Sequence, residues 1–492
     1  MSLVDSLIIL IYLAGIVVVG VRYRGRQDSI NDYFTAQGGF KGQMGLAMVG
    51  LSLGATFFSG LSFILYPSIF YTYGVTALSG LVGFPATYVF MRFWFMPRYL
   101  AGAGASPYEI IERRFGKSVR LLASAMFVLL RLSWMAALIY APVIVLLTAL
   151  GIGDEWLWPM VAMIGISSTL YTVIGGIRGV IITDAIQFLL IAAALLGTII
   201  YVLVKIPLTL GEMVGYMQTN TQLMQLNWSL DPTVTMTVAT MAIGGSMANL
   251  ASFSADPMSL QRYIAAGNAR AASGAFGTSM IATPIVLIML AMVGLVVGTW
   301  YSLHPDSELP AYSDKVFPHF VATQLPTGFI GIVIAAILAA TMSSITSGIN
   351  AVAGSMLNDF VAFSERVESK RLLRQARWLS AVIGVVVTVG AGFVERIGSL
   401  FVIINVLLGV FNGPLLACVL CAVSSLRIRG PALLMGMLVG FVVGVGVVNS
   451  PLSPVWVTLV SAAVTLVVAL IGSALARPET GKARAERVTG LR

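Results

Sequence analysis

Thirteen apolar stretches, at approximately 5–21, 44–72, 75–97, 121–150, 156–175, 179–206, 234–255, 272–300, 327–358, 376–394, 398–425, 431–449 and 454–476, dictate what this chain can become. Each comes near the ~20 residues that a helix needs to cross ~30 Å of hydrocarbon, and inside a bilayer a helix satisfies its own backbone. The 492 residues are 58% hydrophobic and 10% charged, whereas soluble domains carry about a quarter charged residues. The expectation is an all-α polytopic membrane protein with about thirteen transmembrane helices. The first stretch is expected to stay in the membrane, because "MSLVDS" lacks the basic start of a secretory signal and a basic run follows it.

Twenty-five of the 29 Lys and Arg residues fall in alternate connections, which the positive-inside bias assigns to the cytoplasm. They are Arg22, Arg24, Arg26 and Lys41; Arg92, Arg98, Arg113, Arg114, Lys117 and Arg120; Arg178; Arg262 and Arg270; Arg366, Lys370, Arg371, Arg374 and Arg377; Arg427 and Arg429; and a tail group from Arg477 to Arg492. The opposite connections hold Lys205, Lys315 and Arg396, and Arg131 alone lies within a stretch. This places the N-terminus outside and the C-terminus inside a plasma membrane, of the bacterial inner-membrane kind. The net charge of +9 is then a topology signal. The partners it implies are a lipid bilayer and no nucleic acid.

Two outer connections, 207–233 and 301–326, read either as lids or as plain linkers. Inside, "SPYEIIERRFG" reads as a short helix with Ser106 as N-cap, Pro107 at the first position and Glu109 three residues on. Two stretches carry the punctuation of interrupted helices: Gly50, Gly54, Gly60 and Pro67 in the second, and Gly244, Gly245, Ser246, Asn249 and Pro257 in the seventh. Freed backbone at membrane depth is tolerated where it lines a cavity, and a pair of interrupted segments at corresponding positions points to a transport site. The expected organisation is a first helix with a basic linker (1–43), a five-helix repeat (44–206), an outer loop (207–233), an inverted five-helix repeat (234–425), and two peripheral helices with a tail (426–492). Gly436, Gly440 and Gly444 read as close helix packing.

Within the ninth stretch, "AATMSSITSGIN" holds Thr341, Ser343, Ser344, Thr346 and Ser347, and helical spacing puts Ala340, Ser343, Ser344 and Ser347 on one surface. Hydroxyls with freed carbonyls suit a hard cation such as sodium, and they equally suit bonding back to the preceding turn. Asp184 sits one turn into the sixth stretch, where a carboxylate is either functional or a helix-end cap. Arg131 has three open roles: a partner for Asp184, a binder of an anionic substrate, or a packing residue. Cys418 and Cys421 read as small core residues, and His304 and His319 are too isolated for a metal site. "NWS", from Asn227, reads as an ordinary turn.

The stretches "DYFTAQGGFKGQMGLAMVGLSLGATFFSGLSFILYPSIFYTYG", "YTVIGGIRGVIITDAIQF", "QRYIAAGNARAA" and "PTGFIGIVIAAILAATMSSITSGINAVAGSMLNDF" resemble the sodium/solute symporters. That family contains carriers of proline, sialic acid, sugars, vitamins, monocarboxylates and iodide. The resemblance implies a LeuT-like five-plus-five inverted-repeat core. It also implies a sodium site from the carbonyls of Ala55, Phe58 and Ala340 with the hydroxyls of Ser343 and Ser344. A second sodium set, present in some members, maps to Asp184, Ser343, Thr346 and Ser347, so one or two Na+ ions are expected. The solute pocket maps to Phe57, Ser59, Gly60, Ser62, Ala77, Leu81, Arg131 and Trp134. Phe57 stands where proline carriers are similar in having aspartate, and Trp134 and Leu81 stand where sialic acid carriers have arginine and glutamine. "LIYAP", from Leu138, is similar to the monocarboxylate, vitamin and iodide branch.

The function these features imply is sodium-coupled symport of a small organic solute, an organic anion or monocarboxylate before a sugar, sialic acid or amino acid. A proton-coupled carrier centred on Asp184 and a membrane sensor on the same fold are the alternatives. A channel is disfavoured because no stretch carries a ring of acids or a filter-like loop. An enzyme is disfavoured because no nucleophile–His pair or metal cluster is apparent.

Overall fold

The computed structural model describes residues 2–22, 33–34, 40, 42–102, 107–310, 315–360, 369–394 and 400–475. Among them every regular element is helical. In chain order these are α1 (Leu3–Arg22), α2 (Gly42–Phe57), α3 (Gly60–Tyr73), a 3-10 stretch (Gly74–Val82), α4 (Gly83–Phe90), a π turn (Met91–Phe95), α5 (Met96–Gly102), α6 (Glu109–Phe115), α7 (Lys117–Leu150) and α8 (Leu157–Lys205). There follow α9 (Leu210–Asn220), a π turn (Thr240–Gly245), α10 (Ser246–Ser254), α11 (Pro257–Ala266), α12 (Ala269–Leu303), α13 (Val316–Gln324) and α14 (Phe329–Ser355). The last four α-helices are α15 (Ser369–Ala391), α16 (Leu400–Val423), α17 (Gly430–Val448) and α18 (Val457–Leu475), and three short turns complete the set, 3-10 at Asp154–Trp156 and Pro454–Trp456 and π at Met356–Phe360.

Each of the thirteen expected stretches falls on one of these helices or on a consecutive set. Among the described residues, seven helical stretches are long and apolar enough to cross a membrane by length and composition, and the other apolar helices are shorter. Burial ranks them. The stretch Phe329–Phe360 has 89% of its most apolar window enclosed by protein, against 33% for α17 and 28% for Pro454–Leu475. The enclosure follows from small side chains, since α14 is rich in Ala, Ser and Gly, and α1, α7 and α8 pack against it.

Both expected interruptions exist, but the glycines do not mark them evenly. The first lies at Phe58–Ser59, directly before Gly60, while Pro67 sits inside α3. The second lies at Ala255–Asp256, ten residues beyond Gly245, where Asp256 caps α11 and Pro257 takes its first position. Gly244 serves approach instead. A Cβ on Gly244 would lie 2.6 Å from the Val455 carbonyl.

The fifth and sixth stretches are one long helix by hydrogen bonding, bent at Gly176, whose φ of 56° and ψ of −168° suit glycine alone. At the periphery, a Cβ on Gly436 would meet the Thr465 carbonyl at 2.5 Å, and one on Gly440 the Thr465 hydroxyl at 2.0 Å. Those glycines do pack helices closely, as expected.

The connection 207–233 is a built structure and not a plain linker. Thr209 and Glu212 cap α9 reciprocally, with Glu212 N donating to Thr209 Oγ1 (3.3 Å) and Thr209 N to the carboxylate (2.8 Å). Leu223 O accepts from Val75 N (2.8 Å), the Thr76 hydroxyl donates to Gln225 O (3.0 Å), and Pro232 O accepts from Ser453 N (2.9 Å). Asn227 closes a turn by accepting from Ser229 N (3.0 Å). In the connection 301–326 His319 pairs with Asp306 (3.0 Å), and the hydrogen bond holds that carboxyl below its ordinary range.

The helix α6 begins at Glu109, with Pro107 and Tyr108 in a turn before it and not in its first turn. Arg120 pairs with Asp359 and with Glu112, so it is a buried tie and not a loose inner charge. Cys418 and Cys421 are buried and free. Ser106, Arg24, Arg26, Lys41, Arg366, Arg396 and the tail group from Arg477 lie outside the described residues.

Candidate functional site

At the first break, two amides turn away from their helical partners. Ser59 N, which in a continuous helix would close onto the Ala55 carbonyl, donates to Ser62 Oγ (3.1 Å). Ser62 N, which would close onto Phe58, donates to Ser59 O (2.9 Å). The Phe58 carbonyl instead accepts from the Ser344 hydroxyl on α14 (3.2 Å). Oxygens from the two elements thus meet in a buried contact, at about the spacing of neighbouring ligands on one hard cation. Ala55, Phe58, Ala340, Ser343 and Ser344 are all buried.

Ser343 points its hydroxyl hydrogen elsewhere. It donates to Asp184 Oδ1 (2.7 Å), which leaves its lone pairs for another partner. Asp184 is fully buried on α8 and accepts on its second oxygen from Ser52 (2.7 Å) and Ser347 (3.2 Å). Its charge is met by Arg262 Nη2 at 2.7 Å. Arg262, counted from the sequence among inner-side charges, is fully buried on α11. Its guanidinium also donates to Ser52 Oγ (2.8 Å), Ser347 Oγ (2.6 Å) and Met258 O (2.8 Å). Three of the four residues of the expected second sodium set, Asp184, Ser343 and Ser347, therefore gather on a carboxylate already paired with a cation of the chain. The fourth, Thr346, donates back to Ser343 O (3.1 Å).

Beside the first break lies a cavity of about 300 Å³. Phe57, Ser59, Ser62, Ala77, Arg131 and Trp134 line it, so six of the eight expected pocket residues come together. Gly60 does not line it and instead lets α3 touch α14, where a Cβ would sit 1.8 Å from Thr341 Oγ1. Leu81 faces a separate apolar groove with Phe84, Tyr88 and Ile281. Among the three open roles of Arg131, pairing with Asp184 is excluded, since its partner is Asp256 at the second break. Arg131 Nε is buried with no hydrogen-bond partner among the described residues.

The second break contributes what the sequence left unassigned: Asn249, Ser252, Phe253 and Asp256, joined by Asn412 from α16. Phe57 and Phe253, each just ahead of its break, stack face to face at 5.4 Å and 8°. Asp256-Pro257 is an N-cap followed by a first-position proline, a helix-start signal that could have located this break.

The family model described as Sodium:solute symporter family matches residues 33–440. The sodium/sialic acid symporter NanT of Aliivibrio fischeri is 29% identical over 435 residues, covering 87% of this chain and 84% of that protein. The sodium-coupled monocarboxylate transporter 2 of Danio rerio is 27% identical over 421 residues, covering 82% and 66%. Among solved structures, a Na+-coupled sialic acid symporter in a substrate-bound outward-open state superposes with a TM-score of 0.88 at 24% identity, covering 97% of this chain and 99% of that one. Its fold, a LeuT-like one, is the fold of this chain.

Proposed function

The chain belongs to the sodium:solute symporter family, and from that premise we propose that it carries one sodium ion inward with one small organic solute by alternating access. The ion is held by the carbonyls of Ala55, Phe58 and Ala340 and the hydroxyls of Ser343 and Ser344. The single observation that carries this reading is the Ser344 hydroxyl 3.2 Å from the Phe58 carbonyl, across the break. An ion there ties α14 to the first broken helix, and its departure unties them.

Arg262 supports a stoichiometry of one. Its guanidinium takes the place beside Asp184 that a second cation would need, and two unscreened cations on one carboxylate repel. The solute lies in the cavity against Ser59, Ser62, Arg131 and Trp134, where ~300 Å³ suits a small molecule. A carboxylate is the group that best fills the unpartnered Arg131 Nε. A small organic anion is therefore the proposed class, in keeping with relatives that carry sialic acid or monocarboxylates.

The two repeats are 44–206 and 234–425, supported by matching breaks near their starts, with 1–43 and 426–492 flanking them and 207–233 between. The Lys and Arg distribution supports an N-terminus outside and a C-terminus inside, and the proposed bilayer is a bacterial inner membrane.

Liposome uptake of labelled lactate, pantothenate, sialic acid, sugars and amino acids, with an inward sodium gradient or with choline, tests the reading. Uptake of one compound with sodium only is the expected result, and Ser343→Ala raises the sodium concentration for half-maximal uptake. Equal uptake in choline that grows with external acid would transfer the coupling to a proton on Asp184.

A further inference from the structure

One short helix runs between the cavity and the ion site. All ten residues of α11 are buried. At its start Asp256 lines the cavity, accepts from Met258 N (2.9 Å) as the cap, and pairs with Arg131. Six residues on, a rise of about 9 Å along the axis, Arg262 holds Asp184, and Asp184 holds the hydroxyl of Ser343.

We infer that α11 is the coupling element of this symporter, with Asp256 and Arg262 as positioning residues that join solute binding to sodium binding. The inference rests on the ion and solute sites proposed above. A helix enclosed on all sides moves as a unit, and hydrogen bonds of 2.6–2.8 Å at Arg262 tolerate little displacement before they weaken. The state of the Arg131–Asp256 pair at one end therefore sets the direction in which Asp184 turns the Ser343 oxygen at the other. A solute carboxylate that takes up the unpartnered Arg131 Nε leaves Nη2 on Asp256 and so acts on the same helix. Linkage makes the effect reciprocal: whatever the solute does to sodium affinity, sodium does to solute affinity.

Sodium alone is the probe, because its binding can be read without the solute. The purified protein is melted in detergent across a sodium series balanced with choline, and the sodium concentration giving half of the stabilisation is recorded. Asp256→Asn keeps an acceptor for the α11 cap and removes only the charge pair. It is expected to raise that concentration roughly tenfold, within the ~5–150-fold span of couplings between sites. Arg131→Gln is expected to do the same, and the double variant no more than either, since both cut one link. A lower melting temperature in choline with the sodium half-point unchanged within about twofold of wild type, a shift below the smallest of such couplings, would make α11 a structural brace and overturn the inference. A wild-type protein that sodium does not stabilise at all would instead overturn the ion site on which it stands.

Discussion

Asp184 and Arg262 are a fully buried ion pair whose remaining bonding capacity is taken up by Ser52, Ser343, Ser347 and the Met258 carbonyl. Removing one member leaves an uncompensated buried charge, so Arg262→Met is expected to cost about 3–5 kcal/mol, seen as a lower melting temperature in detergent. Removing both, as Arg262→Met with Asp184→Leu, is expected to recover most of that loss. A double variant as unstable as the single one would mean that the hydroxyls, and not the charges, hold this region together. The sequence makes one half of the pair visible. A carboxylate or a cluster of hydroxyls inside an apolar helix is conspicuous because bilayer and core alike penalise it. Arg262 is not conspicuous, since a basic residue near the end of a membrane stretch has the appearance of a topology charge. Only the short helix that returns it inward gives it a partner.

The two broken helices show the same ambiguity among glycines. Gly60 lies at the first break and permits α3 to touch α14, whereas Gly244 stands well before the second break and permits approach to the turn that precedes α18. A residue that allows a bend and one that allows contact are the same letter, so counting glycines located the interrupted elements but not their hinge points. The contact at Gly60 is testable. A Cβ there overlaps Thr341 Oγ1 at 1.8 Å and has the Ile337 carbonyl at 3.1 Å. Gly60→Ala is expected to destabilise by about 1–3 kcal/mol, and Thr341→Ala in the same chain to restore much of it. Thr341 Oγ1 is buried without a partner among the described residues, so its own removal costs little. No restoration in a melting experiment would shift the limiting contact to the Ile337 carbonyl.

For the molecule as a whole, charge decides what drives uptake. One positive charge crossing ~100 mV gains about 2.3 kcal/mol, equivalent to roughly 50-fold accumulation at 1.4 kcal/mol per tenfold. One sodium ion with one monovalent anion moves no net charge. The proposed stoichiometry thus predicts that accumulation of such an anion follows the sodium gradient and ignores an imposed potential, as measured with potassium and valinomycin in liposomes. Accumulation that rises with inside-negative potential would mean a second ion or a neutral solute.

The helices were legible from hydropathy because apolar runs of ~20 residues leave the helix as their backbone solution in a bilayer, and the LeuT-like arrangement was legible from the paired interruptions and the family resemblance. The order of the 207–233 connection was not, because it comes from backbone bonds to Val75, Thr76 and Ser453, which no composition announces.

The two cysteines of the sequence, Cys418 and Cys421, lie almost wholly out of reach on α16. Thiol reagents therefore meet a natural protein that behaves as if it had none. A cysteine placed on the 207–233 connection or on α6 would be the sole accessible label, so spin probes or fluorophores can follow opening and closing in an otherwise unaltered chain.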